Sequence, residues 1–104
     1  MRFLIVSKSK HPMPPEMAPG LLDAMSGWAK KYTANKKMEQ IWAFAGTPAG
    51  GGVLNVGSLD ELDSIMAEYP FGPFSDTEVY PLVDLHDSLQ RSKQVMQSMM
   101  ASKR

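Results

Sequence analysis

The residues that could exchange protons are few, and two of them lie close together near the N-terminus. His11 and Glu16 fall within or beside a proline-rich loop, Lys8–Pro15 (KSKHPMPP), and Tyr80 lies in the last predicted strand. An imidazole or a carboxylate can act as a general base, and a phenol can donate a hydrogen bond. Lys8 could donate to an oxyanion or attract an acidic ligand. For each of these residues the alternative is an ordinary solvated position.

A second group of residues could bind a small molecule rather than transform it. Gln40 and Asn55 lie on predicted central strands, where a buried polar side chain needs a hydrogen-bonding partner. That partner is either a ligand or an interface between subunits. Five aromatic residues could form the walls of a dry pocket, and their alternative role is core packing: Trp28, Trp42, Phe44, Phe71 and Phe74.

The N-terminal part of the chain predicts a strand followed by a helix. The segment Arg2–Ser7 (RFLIVS) is short and rich in β-branched and aromatic residues, which is typical of a strand. Apolar residues then recur at spacings of four, four, three and four along Glu16–Ala34, which predicts an amphipathic helix. Pro19 and Gly20 leave the start of this helix open, and Pro19 is its latest expected first residue. Asn35 is expected to end this helix in the left-handed conformation.

The middle of the chain predicts a hairpin and a second helix. A long strand over Lys36–Gly46 and a strand over Val53–Val56 flank the segment Thr47–Gly52 (TPAGGG), which is predicted to be a turn. Ser58 and Glu61 form a capping box, in which the serine accepts from the Glu61 N–H and the glutamate reaches back to the Ser58 N–H.

The C-terminal part predicts a last strand and a terminal helix. Pro70–Phe74 (PFGPF) is expected to be a rigid aromatic loop, and Thr77–Val83 a strand. Pro81 cannot donate a backbone hydrogen bond, so this strand is expected at a sheet edge or a bulge. A helix from His86, capped by Asp87 or Ser88, carries only a thin apolar stripe. It is either an arm swapped onto a partner subunit or a loosely docked helix.

The element order predicts an α+β fold of the ferredoxin-like βαββαβ type, with a four-stranded antiparallel sheet and both helices on one face. This domain spans residues 1–86, and residues 87–104 form a C-terminal helical extension. The strands are apolar on both faces. Soluble monomers rarely expose such a patch, so we expect a homodimer or higher oligomer in which two sheets close a barrel.

The composition excludes several classes of function. The 104 residues carry 11 basic and 11 acidic side chains, no cysteine and two histidines. A net charge of zero predicts no nucleic-acid partner and no attraction to a charged membrane surface. The absence of cysteine rules out disulfides and zinc–thiolate sites. No segment is long and apolar enough to be a membrane span or a secretory signal, so we expect a cytoplasmic protein.

Three segments resemble muconolactone isomerase: Ile41–Gly46 (IWAFAG), Val53–Leu62 (VLNVGSLDEL) and Tyr69–Leu85 (YPFGPFSDTEVYPLVDL). The resemblance covers roughly residues 1–86 and implies a dimeric α+β barrel. It also implies a double-bond shift in an unsaturated lactone, without cofactor or metal. Such a shift needs a base, a donor to the developing enolate oxygen and a dry pocket. Glu16, His11 and Tyr80 are the candidates for the proton-transferring groups.

One departure from the family bears on the reaction. The family is expected to carry arginine and histidine around the second strand and its turn, whereas this chain has no lysine or arginine between Lys37 and Arg91. Three hypotheses therefore stay open. A cofactor-independent isomerase, cyclase or oxygenase predicts a pocket with an acid–base residue, and a binding module predicts a pocket without one. A protein-interaction subunit predicts a pocket filled by side chains. We favour the enzyme narrowly over the binding module.

Overall fold

The computed structural model describes residues 1–102, and the last two residues of the predicted extension, Lys103 and Arg104, lie outside the described residues. The predicted βαββαβ order with an added C-terminal helix is confirmed. The elements are β1 (Arg2–Ser9), α1 (Ala18–Ala34), β2 (Met38–Ala43), β3 (Ala49–Asn55), α2 (Leu59–Ala67), a 3-10 turn (Gly72–Phe74), β4 (Ser75–Leu82) and α3 (Leu85–Ser102).

The four strands form one antiparallel sheet in the order β2-β3-β1-β4. The central strand β1 pairs with both β3 and β4, so that Phe3 lies opposite Leu54 on one side and Pro81 on the other. Because β4 is an edge strand, the missing N–H of Pro81 costs no bond to a further strand. The predicted edge position of this proline is therefore confirmed.

One face of the sheet carries the core. Alternate residues of β1 and β3 point toward the helices, and Phe3, Ile5 and Leu54 are buried there. From the helices, Trp28, Tyr32 and Ile65 pack into this core. The indole Nε1 of Trp28 donates to the backbone oxygen of Ile65 at 3.1 Å in a buried hydrogen bond. This contact joins α1 to α2 above the sheet.

The opposite face of the sheet, which we call the open face, is apolar and uncovered. Its central residues are Leu4, Val6, Val53, Tyr80 and Leu82; the first three are half-buried, and the last two are 47% and 41% exposed. Leu4 lies opposite both Val53 and Tyr80, so these side chains form one continuous patch. Because an apolar sheet face is unfavourable in water, we predict that the protein self-associates.

The C-terminal helix does not cover the open face of its own chain. None of the α3 side chains is buried, and all but Ser88 are exposed. The molecule measures 68 × 28 × 24 Å. An 18-residue helix is about 27 Å long, which accounts for much of the excess in the long dimension. Over residues 1–102, no helix combines the length and the apolar character that crossing a membrane requires.

Several local predictions were wrong. The turn predicted over Thr47–Gly52 is shorter, because β3 already begins at Ala49 and includes the three glycines. The strand predicted over Lys36–Gly46 is confined to Met38–Ala43. The left-handed residue after α1 is Lys36, with φ 65°, rather than Asn35.

The caps of the last two helices also differ in part from the prediction. Ser58 accepts from the Glu61 N–H at 3.1 Å, as predicted. The Glu61 carboxylate, however, reaches Lys37 at 2.7 Å and the Gly57 N–H instead of the Ser58 N–H, and these contacts, with the lysine foremost, lower the pKa of Glu61. At α3 the cap is Asp84, whose Oδ1 accepts from the Asp87 N–H at 3.0 Å.

Candidate functional site

A cavity of about 510 Å³ lies between the helix-covered face of the sheet, the two helices and the loop that follows α2. This volume falls in the range of small-molecule sites. Strand residues such as Ile5 and Ser7 contribute to the sheet side of the cavity, Met25 and Met66 come from α1 and α2, and Met13 comes from the loop after β1. The walls are therefore predominantly apolar.

The cavity exists partly because β3 carries no side chains where it borders the cavity. Gly50 and Gly52 lie opposite Ser7 and Ile5 of β1, on the helix-covered face. A Cβ atom at Gly52 would stand 2.6 Å from the backbone oxygen of Gln40 and 2.9 Å from the Met38 sulfur. The strand can thus approach its neighbour closely and still leave open space above it. The glycine run that was predicted to be a turn is instead part of the site.

The polar groups in the cavity wall are hydroxyls. The Tyr69 hydroxyl donates to Ser7 Oγ at 2.8 Å, and Ser7 is buried. Three further hydroxyl residues, Ser9, Thr47 and Ser75, complete the polar part of the lining. Within residues 1–102, no Asp, Glu, His, Lys or Arg lines the cavity. Sequence reasoning missed Ser7, although it continues the inward-facing series that begins at Phe3 and Ile5.

The predicted aromatic residues lie together at this cavity. All five contribute to its lining: Trp28, Trp42, Phe44, Phe71 and Phe74. Trp28 is buried, and its ring lies 5.1 Å from that of Tyr69, which in turn lies 6.0 Å from the ring of Phe71. Trp42, which lies opposite Gly51 on the edge strand β2, is 48% exposed. The Trp28 N–H is already bonded to Ile65, so this residue offers a ligand its ring and not its donor.

The other predicted site residues do not line the cavity. His11 and Glu16 are exposed on the loop that carries Met13, and the His11 backbone N–H donates to the Phe74 oxygen at 3.1 Å. His11 is therefore next to the rim. Tyr80 lies on the open face and donates to the Glu78 carboxylate, which raises the pKa of Tyr80.

Three predicted polar residues also lie elsewhere. Lys8 is exposed and alternates with Ser7 and Ser9, so its side chain leaves the opposite side of β1. Gln40 is exposed on the edge strand β2, and Asn55 is half-buried at the end of β3. The structure thus brings the aromatic candidates together and leaves the predicted acid–base and amide candidates apart.

A cluster of charged and polar side chains lies away from the cavity, between α1 and α2. Tyr32 donates its hydroxyl to the Glu68 carboxylate, and the Lys31 ammonium lies 3.2 Å from the same carboxylate. The tyrosine first and the lysine second lower the pKa of Glu68. This cluster joins the two helices and has no access to the ligand space. Among residues 1–102, no group of three or more His, Asp or Glu side chains could hold a metal ion.

Comparison with known proteins gives two findings. The family model described as muconolactone delta-isomerase matches residues 1–88. The crystal structure of muconolactone isomerase superposes with a TM-score of 0.74 at 27% sequence identity, and the match covers 81% of this chain and 90% of that one. None of the curated proteins compared with the chain matches it. The matched region ends near the start of α3, so most of that helix lies beyond the family model.

Proposed function

Because the chain belongs to the muconolactone delta-isomerase family, we propose that it binds a small unsaturated carbonyl or lactone compound in the cavity between the sheet and the helices. The observation that carries this proposal is the open volume of about 510 Å³ with aromatic walls and a hydrogen-bonded hydroxyl pair, of which Ser7 is buried. A flat, conjugated ligand can stack on the aromatic rings, and its carbonyl can accept a hydrogen bond. A protein-interaction subunit would instead have this space filled by side chains.

The test fills the cavity by mutation. Ala43 lines the cavity and lies opposite Gly50, so A43W places an indole in the ligand space. Coumarin, an uncharged unsaturated lactone, is the probe, and its binding is measured by isothermal titration calorimetry. We expect the wild-type protein to bind coumarin and A43W to lose at least tenfold in affinity. The matched control A24W alters an exposed α1 residue outside the cavity and should bind as the wild type does. Equal binding by all three proteins, or none by the wild type, would contradict the proposal.

A second candidate function is the double-bond shift itself, and the placement of His11 favours it. The His11 backbone N–H donates to the Phe74 backbone oxygen, and Phe74 borders the cavity. In this candidate a base removes the proton from the carbon beside the lactone carbonyl, and the electron pair moves onto the carbonyl oxygen, where the Ser7 hydroxyl donates to it. The same proton then returns to the γ-carbon, so the double bond moves into conjugation without any co-reactant. His11 or Glu16 from the loop is the candidate base.

The reaction is tested with α-angelica lactone, whose double bond can shift into conjugation with the carbonyl. We expect the protein to accelerate formation of the conjugated isomer, and H11Q to slow it at least tenfold without altering coumarin affinity. H86Q, which alters an exposed histidine at the start of α3, is the control. If the wild-type protein binds coumarin but converts no lactone, the chain is a binding module and the second candidate is wrong.

The same family membership supports a homodimer as the form that binds the ligand. The open face presents a continuous apolar patch that its own chain leaves uncovered. The equivalent face of a second copy has the matching size and character, and pairing two such faces closes a barrel. In this arrangement both cavities lie on the outer, helix-covered sides and remain accessible.

A further inference from the structure

We propose that the cavity selects uncharged carbonyl compounds, and that the Ser7 hydroxyl, oriented by Tyr69, is the donor that binds the ligand's carbonyl oxygen. This inference rests on the proposed function and narrows its ligand class. It is carried by the two properties of the cavity that the family resemblance did not predict, namely the absence of charge from its described lining and the hydrogen-bonded hydroxyls of Tyr69 and the buried Ser7.

The first step concerns charge. The cavity-lining residues within positions 1–102 include no cationic side chain. Two charged residues that flank lining residues along the chain, Lys8 and Asp76, are exposed, and they lie opposite each other in the pairing of β1 with β4. Because Lys8 and Asp76 alternate with Ser7 along the strands, both side chains lie on the face of the sheet opposite the cavity. A carboxylate placed among the aromatic walls would lose its hydration without gaining an ion pair, which is strongly unfavourable.

The second step concerns the direction of the hydrogen bonds. The Tyr69 hydroxyl donates its hydrogen bond to Ser7 Oγ at 2.8 Å. The Ser7 hydroxyl proton is then left to donate, and no acceptor for it is found among the hydrogen bonds of residues 1–102. Ser7 is only 8% exposed, so bulk water has little access to it. A buried donor of this kind is satisfied by an acceptor on a bound molecule, and donation from Tyr69 polarises the serine and strengthens that bond.

The third step concerns how the pair is held. The Tyr69 ring packs between Trp28 and Phe71, with ring centroids 5.1 Å and 6.0 Å away. Trp28 is itself fixed by its bond to Ile65. Tyr69 therefore acts as a positioning residue for Ser7, and a conjugated ring that stacks on the same aromatic wall would have its carbonyl close to the serine. The aromatic wall would thus recognise the shape of the ligand, and the adjoining Ser7 hydroxyl would recognise its carbonyl group.

Three probes of nearly the same shape separate the parts of this inference. Coumarin is uncharged and has the carbonyl, coumarin-3-carboxylate adds a negative charge at pH 7, and 2H-chromene lacks the carbonyl. For the wild-type protein we expect coumarin to bind at least tenfold more tightly than either analogue. For S7A we expect coumarin affinity to fall about five- to tenfold, as for loss of one hydrogen bond, with 2H-chromene affinity unchanged. Y69F should lower coumarin affinity by a smaller factor and leave 2H-chromene unchanged.

The control variant is S64A, which removes an exposed α2 hydroxyl outside the cavity and should leave the preference for coumarin intact. Failure of the wild-type protein to bind coumarin would defeat the proposed function itself. If coumarin binds and coumarin-3-carboxylate binds as tightly or more tightly, the charge selection is wrong while the proposed function stands. If coumarin and 2H-chromene bind the wild type equally, or S7A weakens both alike, Ser7 is not the carbonyl donor. The comparison of probes on the wild-type protein needs no variant to fold.

Discussion

Ser7 shows how one residue's position along a strand determines its chemistry. It is the third member of the series Phe3, Ile5, Ser7 that faces the helices, and the first two are buried core residues. A serine at the third position, opposite Gly50, puts a hydroxyl at the point where the core gives way to open space. One step along the strand, Lys8 lies on the other face and is exposed.

The aromatic lining was predictable from residue type, whereas the hydroxyl pair was not. Large aromatic residues such as Trp28 and Phe71 are readily identified in a sequence as candidates for a core or a pocket, because these positions most often bury them. Ser7 and Tyr69 are 62 positions apart, and each has many ordinary roles. Only the folded chain, which brings the segment after α2 next to β1, joins them. The acid–base candidates His11 and Glu16 follow from their chemistry and from their position in or beside the loop after β1, and both residues are exposed there.

At the residue scale, the Tyr32–Glu68–Lys31 cluster predicts an acid-sensitive contribution to stability. The pKa of Glu68 is lowered in the folded protein, first by the Tyr32 hydroxyl and then by Lys31. Its contribution is therefore complete above the ordinary carboxyl pKa of 4.5 and is lost as the pH falls through the lowered value. We expect the urea midpoint of the wild type to fall between about pH 5 and pH 3, and E68Q to fall less over this interval. D63N, at an exposed position of α2, should retain the wild-type slope. A slope unchanged in E68Q would contradict this assignment.

At the element scale, β3 is the decisive feature of the site. Its three consecutive glycines lack the β-branched and aromatic residues that usually identify a strand, so local propensity predicts a turn. The strand forms nevertheless, because β1 and β2 both pair with this segment and hold it in the middle of the sheet. Tertiary pairing overrides propensity here, which explains why the hairpin was predicted and its length was not.

A pair of glycine substitutions tests this account of β3. G52A adds a methyl group 2.6 Å from the Gln40 oxygen, and we expect it to destabilise the fold by roughly 1–3 kcal/mol, the usual cost of overpacking. G27A lies inside α1 with nothing within 4 Å of the added atom. It should stabilise the helix by about 0.5–1 kcal/mol, because alanine loses less backbone freedom than glycine. Chemical denaturation measures both changes, and equal effects of the two substitutions would show that close strand approach is not what requires Gly52.

The last helix is the element whose role the sequence left open, and its position favours one alternative. α3 is not docked on its own chain, since none of its side chains is buried. An isolated helix of this length is marginal in water. Its exposed Leu89, Met96 and Met100 therefore favour an arm that packs on a second copy over a helix docked within the chain. A covering partner would supply the burial that this stripe lacks.

At the scale of the whole molecule, the uncovered sheet face predicts self-association. The order of the elements was readable from the sequence because each predicted helix and strand has its own periodicity and stop residues. Self-association is predicted for a different reason, namely that neither face of the predicted sheet is polar. That argument stands on Leu4, Val6 and Val53, which lie on the open face and not against the helices.

Light scattering at micromolar concentration measures this assembly. We expect the wild-type protein to have the mass of two chains or a multiple of it. L82E places a carboxylate on the open face, where Leu82 is 41% exposed within one chain, and should yield a folded monomer. A24E adds the same charge to the exposed surface of α1 and should remain associated. A wild-type monomer at these concentrations would mean that water alone covers the open face.

The claim on which this account depends is that the ligand binds between the sheet and its helices. Two-dimensional ¹H–¹⁵N NMR of the wild-type protein titrated with coumarin tests it without any substitution. We predict that the shifted resonances concentrate at Ser7, Gly50, Gly52 and the Trp28 indole, which surround the cavity. Shifts confined to the open face around Leu4 and Tyr80, or to α3, would contradict the claim.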